Sequence, residues 1–123
     1  MTPDDYKLWE KNIFYAIKNV SNIEMQKLAW LGKSPKIVSS FSEVYNVLYD
    51  DFDFEDYIKY YESKHSSDNL LMQMKRLDIM MSNYNPPDSA SWVDDLILLD
   101  PKWIEITKQA KIVYDNRPAV PDL

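Results

Sequence analysis

Helix-start signals recur along this chain, and that punctuation constrains its fold more than any other feature. Thr2-Pro3-Asp4-Asp5 offers a hydroxyl cap, proline at the first helical position and acids at the positive end of the helix dipole. Ser21 with Glu24, and Ser40 with Glu43, match the capping box, in which two side chains satisfy free backbone N–H groups reciprocally. Asp53, Ser67 or Asp68, Ser91 with Asp94, and Asp100-Pro101 supply the other starts. Apolar residues then follow at spacings of three and four, as one face of a helix requires. Tyr6, Trp9, Ile13, Ile17 and Val20 form one such series, and Phe54, Tyr57, Ile58 and Tyr61 another. Leu70, Leu71, Met74, Leu77, Ile79 and Met81, then Trp103, Ile104, Thr107, Ala110 and Val113, complete the pattern.

Stops are legible too. Gly32, the only glycine, stands where a helix C-cap would fall after Leu28, Ala29 and Leu31. Asp50-Asp51 interrupts the short helix begun at Ser40, and Asn85-Pro86-Pro87 ends the one that runs to about Asn83. Ile37-Val38 is either extended or a plug into the core. No run of five residues alternates cleanly, and no Asn-Gly or Asp-Gly turn is present, so strands are not expected. The expected fold is all-α, an irregular bundle of six to seven short helices. One domain spans 1–117, and 118–123, with Pro118 and Pro121, form an extended tail.

At 123 residues and 46% hydrophobic, the chain can bury a core of its own. It has no cysteine, hence no disulfide, thiolate metal site or cysteine nucleophile. No leader pattern follows Met1, and the longest apolar run, Leu96–Leu99, is far too short for a membrane span. A cytoplasmic protein with no membrane partner is expected.

Charge is distributed unevenly. Residues 43–62 hold seven acids against Lys59, so this one window equals the whole net charge of −6. Residues 1–42 carry six lysines against four acids. The acids interleave with rings in Tyr49–Glu62, YDDFDFEDYIKYYE. Such a face repels nucleic-acid phosphates and attracts basic protein surfaces, whose encounter it accelerates. Five carboxylates in seven residues repel one another, and Phe52 and Phe54 alternate with them, so both rings are not expected to bury. Aromatics ringed by charge are typical interface anchors. The candidate partner-binding residues are therefore Asp50, Asp51, Asp53, Glu55 and Asp56 as charge contacts, with Phe52, Phe54 and Tyr57 as anchors. A solvated helix start, its acids favoured by the dipole, is the plainer reading of the same run.

Other chemistry finds little support. Asp51, Asp53, Glu55 and Glu62 fit a calcium-loop register, but Asp56 occupies the position that needs glycine. His65 is the only histidine and reads as a solvated loop residue. Trp9, Trp30, Trp92 and Trp103 read as core, as do most of Met72, Met74, Met80 and Met81. A single glycine rules out a Gly-rich phosphate cradle, and the lysine and arginine pairs are too few for a nucleic-acid footprint. No catalytic residues, metal ligands or cofactor are assigned.

Trp30-Leu31-Gly32, Pro35, Ile37-Val38-Ser39-Ser40 with Glu43, and Leu48-Tyr49-Asp50-Asp51-Phe52 resemble small bacterial immunity proteins of contact-dependent growth inhibition and related polymorphic toxin systems. The resemblance implies a small cytoplasmic, often acidic protein that binds one cognate toxin domain, commonly a basic nuclease. It implies neither catalysis nor a cofactor. The alternative is a non-catalytic structural or adaptor domain that binds another basic protein through the same patch or the tail.

Overall fold

The computed structural model describes residues 1–30, 40–87 and 94–118, without the side chains of Asp94 and Asp95. Its described residues form seven α-helices and one π turn, with no strand: α1 (Pro3–Ser21), α2 (Ile23–Trp30), α3 (Phe41–Asn46), the π turn (Val47–Asp51), α4 (Phe54–Lys64), α5 (Asn69–Ser82), α6 (Asp94–Leu98) and α7 (Pro101–Asp115). The fold is all-α. The expectations for Gly32, Ile37-Val38, Ser91, Trp92 and the tail beyond Pro118, and most of the residues carrying the family resemblance before Ser40, lie outside the described residues.

Most caps form where the sequence places them. Thr2 Oγ1 accepts from the Asp5 N–H at 3.2 Å, and Asp5 Oδ2 accepts from the Thr2 N–H at 2.9 Å. Those bonds hold the Asp5 carboxyl below its usual range. Ser40 caps α3, Asp68 caps α5 and Asp100 caps α7, each through its side-chain oxygen. Ser21 does not cap α2. It closes α1, donating to the Lys18 carbonyl, while Asn22 Oδ1 takes the Met25 N–H at 3.0 Å. Asparagine is as good a cap as serine and stands one residue nearer the helix it serves.

One core cluster joins the helices. Ile13, Phe14, Ile17 and Val20 of α1 face Trp103, Ile106, Ala110 and Val113 of α7, the most extensive helix pair, with Met74, Leu77 and Met81 of α5 behind them. Trp103 is buried completely, whereas Trp9 and Trp30 are half-buried against the core; Met72 is the exposed methionine of α5. At the centre lies a polar key, the fully buried Gln26. Its Nε2 donates to the Asn19 and Val20 carbonyls at 2.9 Å, and its Oε1 accepts from Trp103 Nε1 at 3.0 Å. One amide thus closes the end of α1, anchors α2 and orients α7.

Around the core, four tyrosine hydroxyls donate to carboxylates on other turns or elements: Tyr49 to Asp78 at 2.8 Å, Tyr57 to Glu10 at 2.7 Å, Tyr61 to Asp68 at 2.8 Å and Tyr84 to Asp100 at 2.9 Å. Burial raises the pKa of all four phenols, and the neighbouring carboxylate raises each further. Tyr57 ties α4 to α1 and Tyr49 ties the π turn to α5, so the acidic window is fixed from two sides.

Candidate partner-binding site

The acidic window is not a simple helix start. Leu48 is buried, and the helical stretch stops at Asp50-Asp51 by widening into the π turn, whose last N–H, from Phe52, donates to the Val47 carbonyl at 3.1 Å. Asp53 then adopts left-handed backbone, φ 51° and ψ 60°, the one non-glycine residue with positive φ among those described. Its carbonyl accepts the Tyr57 N–H at 3.0 Å, but its side chain makes no capping bond. The carboxylate expected to cap α4 therefore points free of the helix. Non-glycine residues pay on the order of 1–2 kcal/mol for this conformation, aspartate less than most. Asp53→Gly is accordingly expected to raise stability by about 0.5–1 kcal/mol, read from the urea midpoint, through relief of the backbone. A variant less stable than the native protein would show that the Asp53 side chain holds the turn.

That left-handed step sorts the rings. Phe54 and Tyr57 are fully buried, with Ile58 and Tyr61 beside them, so neither ring is a surface anchor. The two phenylalanines do not both bury, as expected, and the π turn and Asp53, which re-aim the chain between them, decide which one does. Phe52 is half-buried against the core and keeps part of its ring in solvent. Asp50, Asp51, Asp53, Glu55 and Asp56 are all exposed, as expected. None of the five makes a hydrogen bond or ion pair through its side chain among the described residues. Glu62 is elsewhere engaged, pairing with Lys75 of α5. No group of three or more metal-ligating side chains is drawn together among the described residues, so the calcium register does not converge. His65 is exposed just past α4, its ring stacked on Tyr61 at 4.5 Å.

The residues that the acidic window alone could not reveal come from α1. Trp9 Nε1 donates to the Phe52 carbonyl at 2.6 Å, across 43 positions of sequence. Trp9 also meets Tyr57 edge-on at 5.4 Å and packs against Tyr60, which stacks on Tyr6 at 4.5 Å. Trp9 also lines an open cleft between α1 and the π turn. Its apolar lining is Met1, Leu8, Trp9 and Phe52; its carboxylates are Asp5, Asp51, Asp53 and Asp56, with Asn12 between. Leu8 is 49% exposed and Met1 72%. A smaller, polar cleft lies beside it, lined by Tyr49, Asp50, Asp53, Glu55 and Asp56, so Asp53 and Asp56 belong to both.

No protein family matches the chain, and neither a curated protein nor a solved structure matches it.

Proposed function

We propose that this chain is an immunity protein that acts in the cytoplasm, binding and neutralising a cognate toxin domain, a basic nuclease, through the acidic face of the π turn and the start of α4. The observation that carries the reading is that five carboxylates stand in solvent on fixed backbone while none of them is used internally among the described residues. A nuclease needs a cationic cleft for phosphate, and a fixed cluster of carboxylates can fill or flank such a cleft. Opposite charges speed the encounter, and apolar contacts slow the escape. The likeness of residues 30–52 to immunity proteins supports the same reading.

The test is capture from source cells by the native protein beside a variant carrying Asp51→Lys, Asp53→Lys and Asp56→Lys, followed by expression of the captured partner with and without the native protein. The three reversals bring the net charge from −6 to zero. They are expected to slow association on the order of a hundredfold at low salt, and Asp53→Lys, on left-handed backbone that lysine tolerates less well than aspartate, should lower the unfolding midpoint without unfolding the protein. The partner should arrest growth alone and not when co-expressed. Equal binding by both proteins would move the site elsewhere. A partner that is harmless to cells would end the neutralisation reading and leave an adaptor.

A further inference from the structure

We infer that the cleft between α1 and the π turn receives a basic segment of a protein partner that presents one apolar side chain flanked by lysine or arginine. The inference deepens the partner-binding reading above and rests on it only for the partner being a basic protein, not for its being a toxin.

Phosphate mimicry asks for carboxylates alone, yet this cleft has an apolar floor. Leu8 and Met1, both exposed, line it together with Phe52 and Trp9. Four carboxylates from two distant stretches, Asp5 on one side and Asp51, Asp53 and Asp56 on the other, share its lining. An entirely apolar occupant would desolvate Asp51, Asp53 and Asp56, which have no side-chain partners among the described residues, and that is costly. An entirely cationic one would leave Leu8 and Met1 without a cover. A side chain of leucine or phenylalanine size, with cations one or two positions to either side, meets both demands. The receiving surface is preorganised: the Trp9–Phe52 bond fixes the π turn against α1, and the Tyr57–Glu10 bond fixes α4 behind it. Little ordering is then needed on this side of the complex.

Two components with different salt responses follow. Attraction between exposed charges fades over the Debye length as salt is added, while burial of the apolar side chain does not. Affinity should therefore fall with salt to a plateau.

The experiment titrates the full-length protein with a synthetic peptide holding one leucine between two pairs of lysines, followed by calorimetry and by NMR of the Met1 and Leu8 methyls and the Trp9 indole. Saturable shifts at those three groups are expected. Replacing the peptide leucine with serine, or Leu8→Ser in the protein, should each weaken binding about tenfold. Asp51→Asn with Asp56→Asn, which removes two of the four lining carboxylates, should reduce the salt-dependent part by about half and keep the plateau. Leu8 is half in solvent, so its substitution should leave the fold intact, which the unfolding midpoint checks. Equal affinity for the serine peptide would overturn the inference, because charge alone would then explain binding. So would shifts centred on another face, or concentration-dependent self-association that covers Leu8, since a second copy would then be the occupant. Failure of the growth-rescue test would leave this result standing, and failure here would leave rescue to be explained by another surface.

Discussion

Gln26→Leu is expected to destabilise the protein by about 3 kcal/mol, the largest loss from any substitution of similar volume in the core. Leucine fills the space but answers none of the three bonds that the amide makes. The Trp103 indole N–H would be left buried without an acceptor, and the Asn19 and Val20 carbonyls would lose the donors that close α1. Each orphaned buried group costs on the order of 1–3 kcal/mol, far more than the intact bond contributes net. Urea unfolding measures the loss directly. In the double variant with Trp103→Phe, the indole N–H is gone as well, so the combined cost should fall short of the sum of the two single costs by about 1 kcal/mol or more. Strict additivity would mean that the Gln26–Trp103 bond carries no coupling.

The second large effect is alkaline unfolding. Burial first, and the neighbouring carboxylate next, raise the pKa of Tyr57 above that of a free phenol, as they do for Tyr49, Tyr61 and Tyr84. A group whose folded pKa is raised gives stability that is fully present below the unfolded pKa and lost as pH climbs. The free value is about 10, so the loss begins there. Tyr57 alone, completely buried, should remove about 1.4 kcal/mol per pH unit above that point. The other three steepen the slope. Phenolate absorbance and helical circular dichroism, followed together, should show the Tyr57 class appearing only as helix is lost. Titration of all nine tyrosines with helix intact would contradict the hydroxyl–carboxylate latches.

Much of the fold was legible because helix starts are local chemistry. Thr2, Ser40, Asp68 and Asp100 each satisfy N–H groups two or three residues away, and the sequence contains both partners. Errors arose where two local solutions compete, as between Ser21 and Asn22. They also arose in the form of a stop: helical structure ends at Asp50-Asp51 as expected, but through a π turn, with Leu48 and Phe54 on either side buried in the core. The candidate site divided along the same line. Exposure of the five acids follows from the solvation of charge. Burial of Phe54 and Tyr57 was written in their spacing with Ile58 and Tyr61, against which the charged neighbours weighed misleadingly. The contribution of Leu8, Trp9 and Asn12 could not be read, because it depends on a contact between α1 and a turn more than 40 positions away.

Two groups of carboxylates in this protein stand in contrast. Glu10, Asp68, Asp78 and Asp100 are committed to tyrosine hydroxyls, and changing one would loosen a joint between elements. Asp50, Asp51, Asp53, Glu55 and Asp56 hold nothing together among the described residues. What they present to the outside can therefore be rewritten, position by position, while the helices keep their places. Architecture and outward identity sit on different residues, and the chain is free to change its counterpart without having to invent a new scaffold.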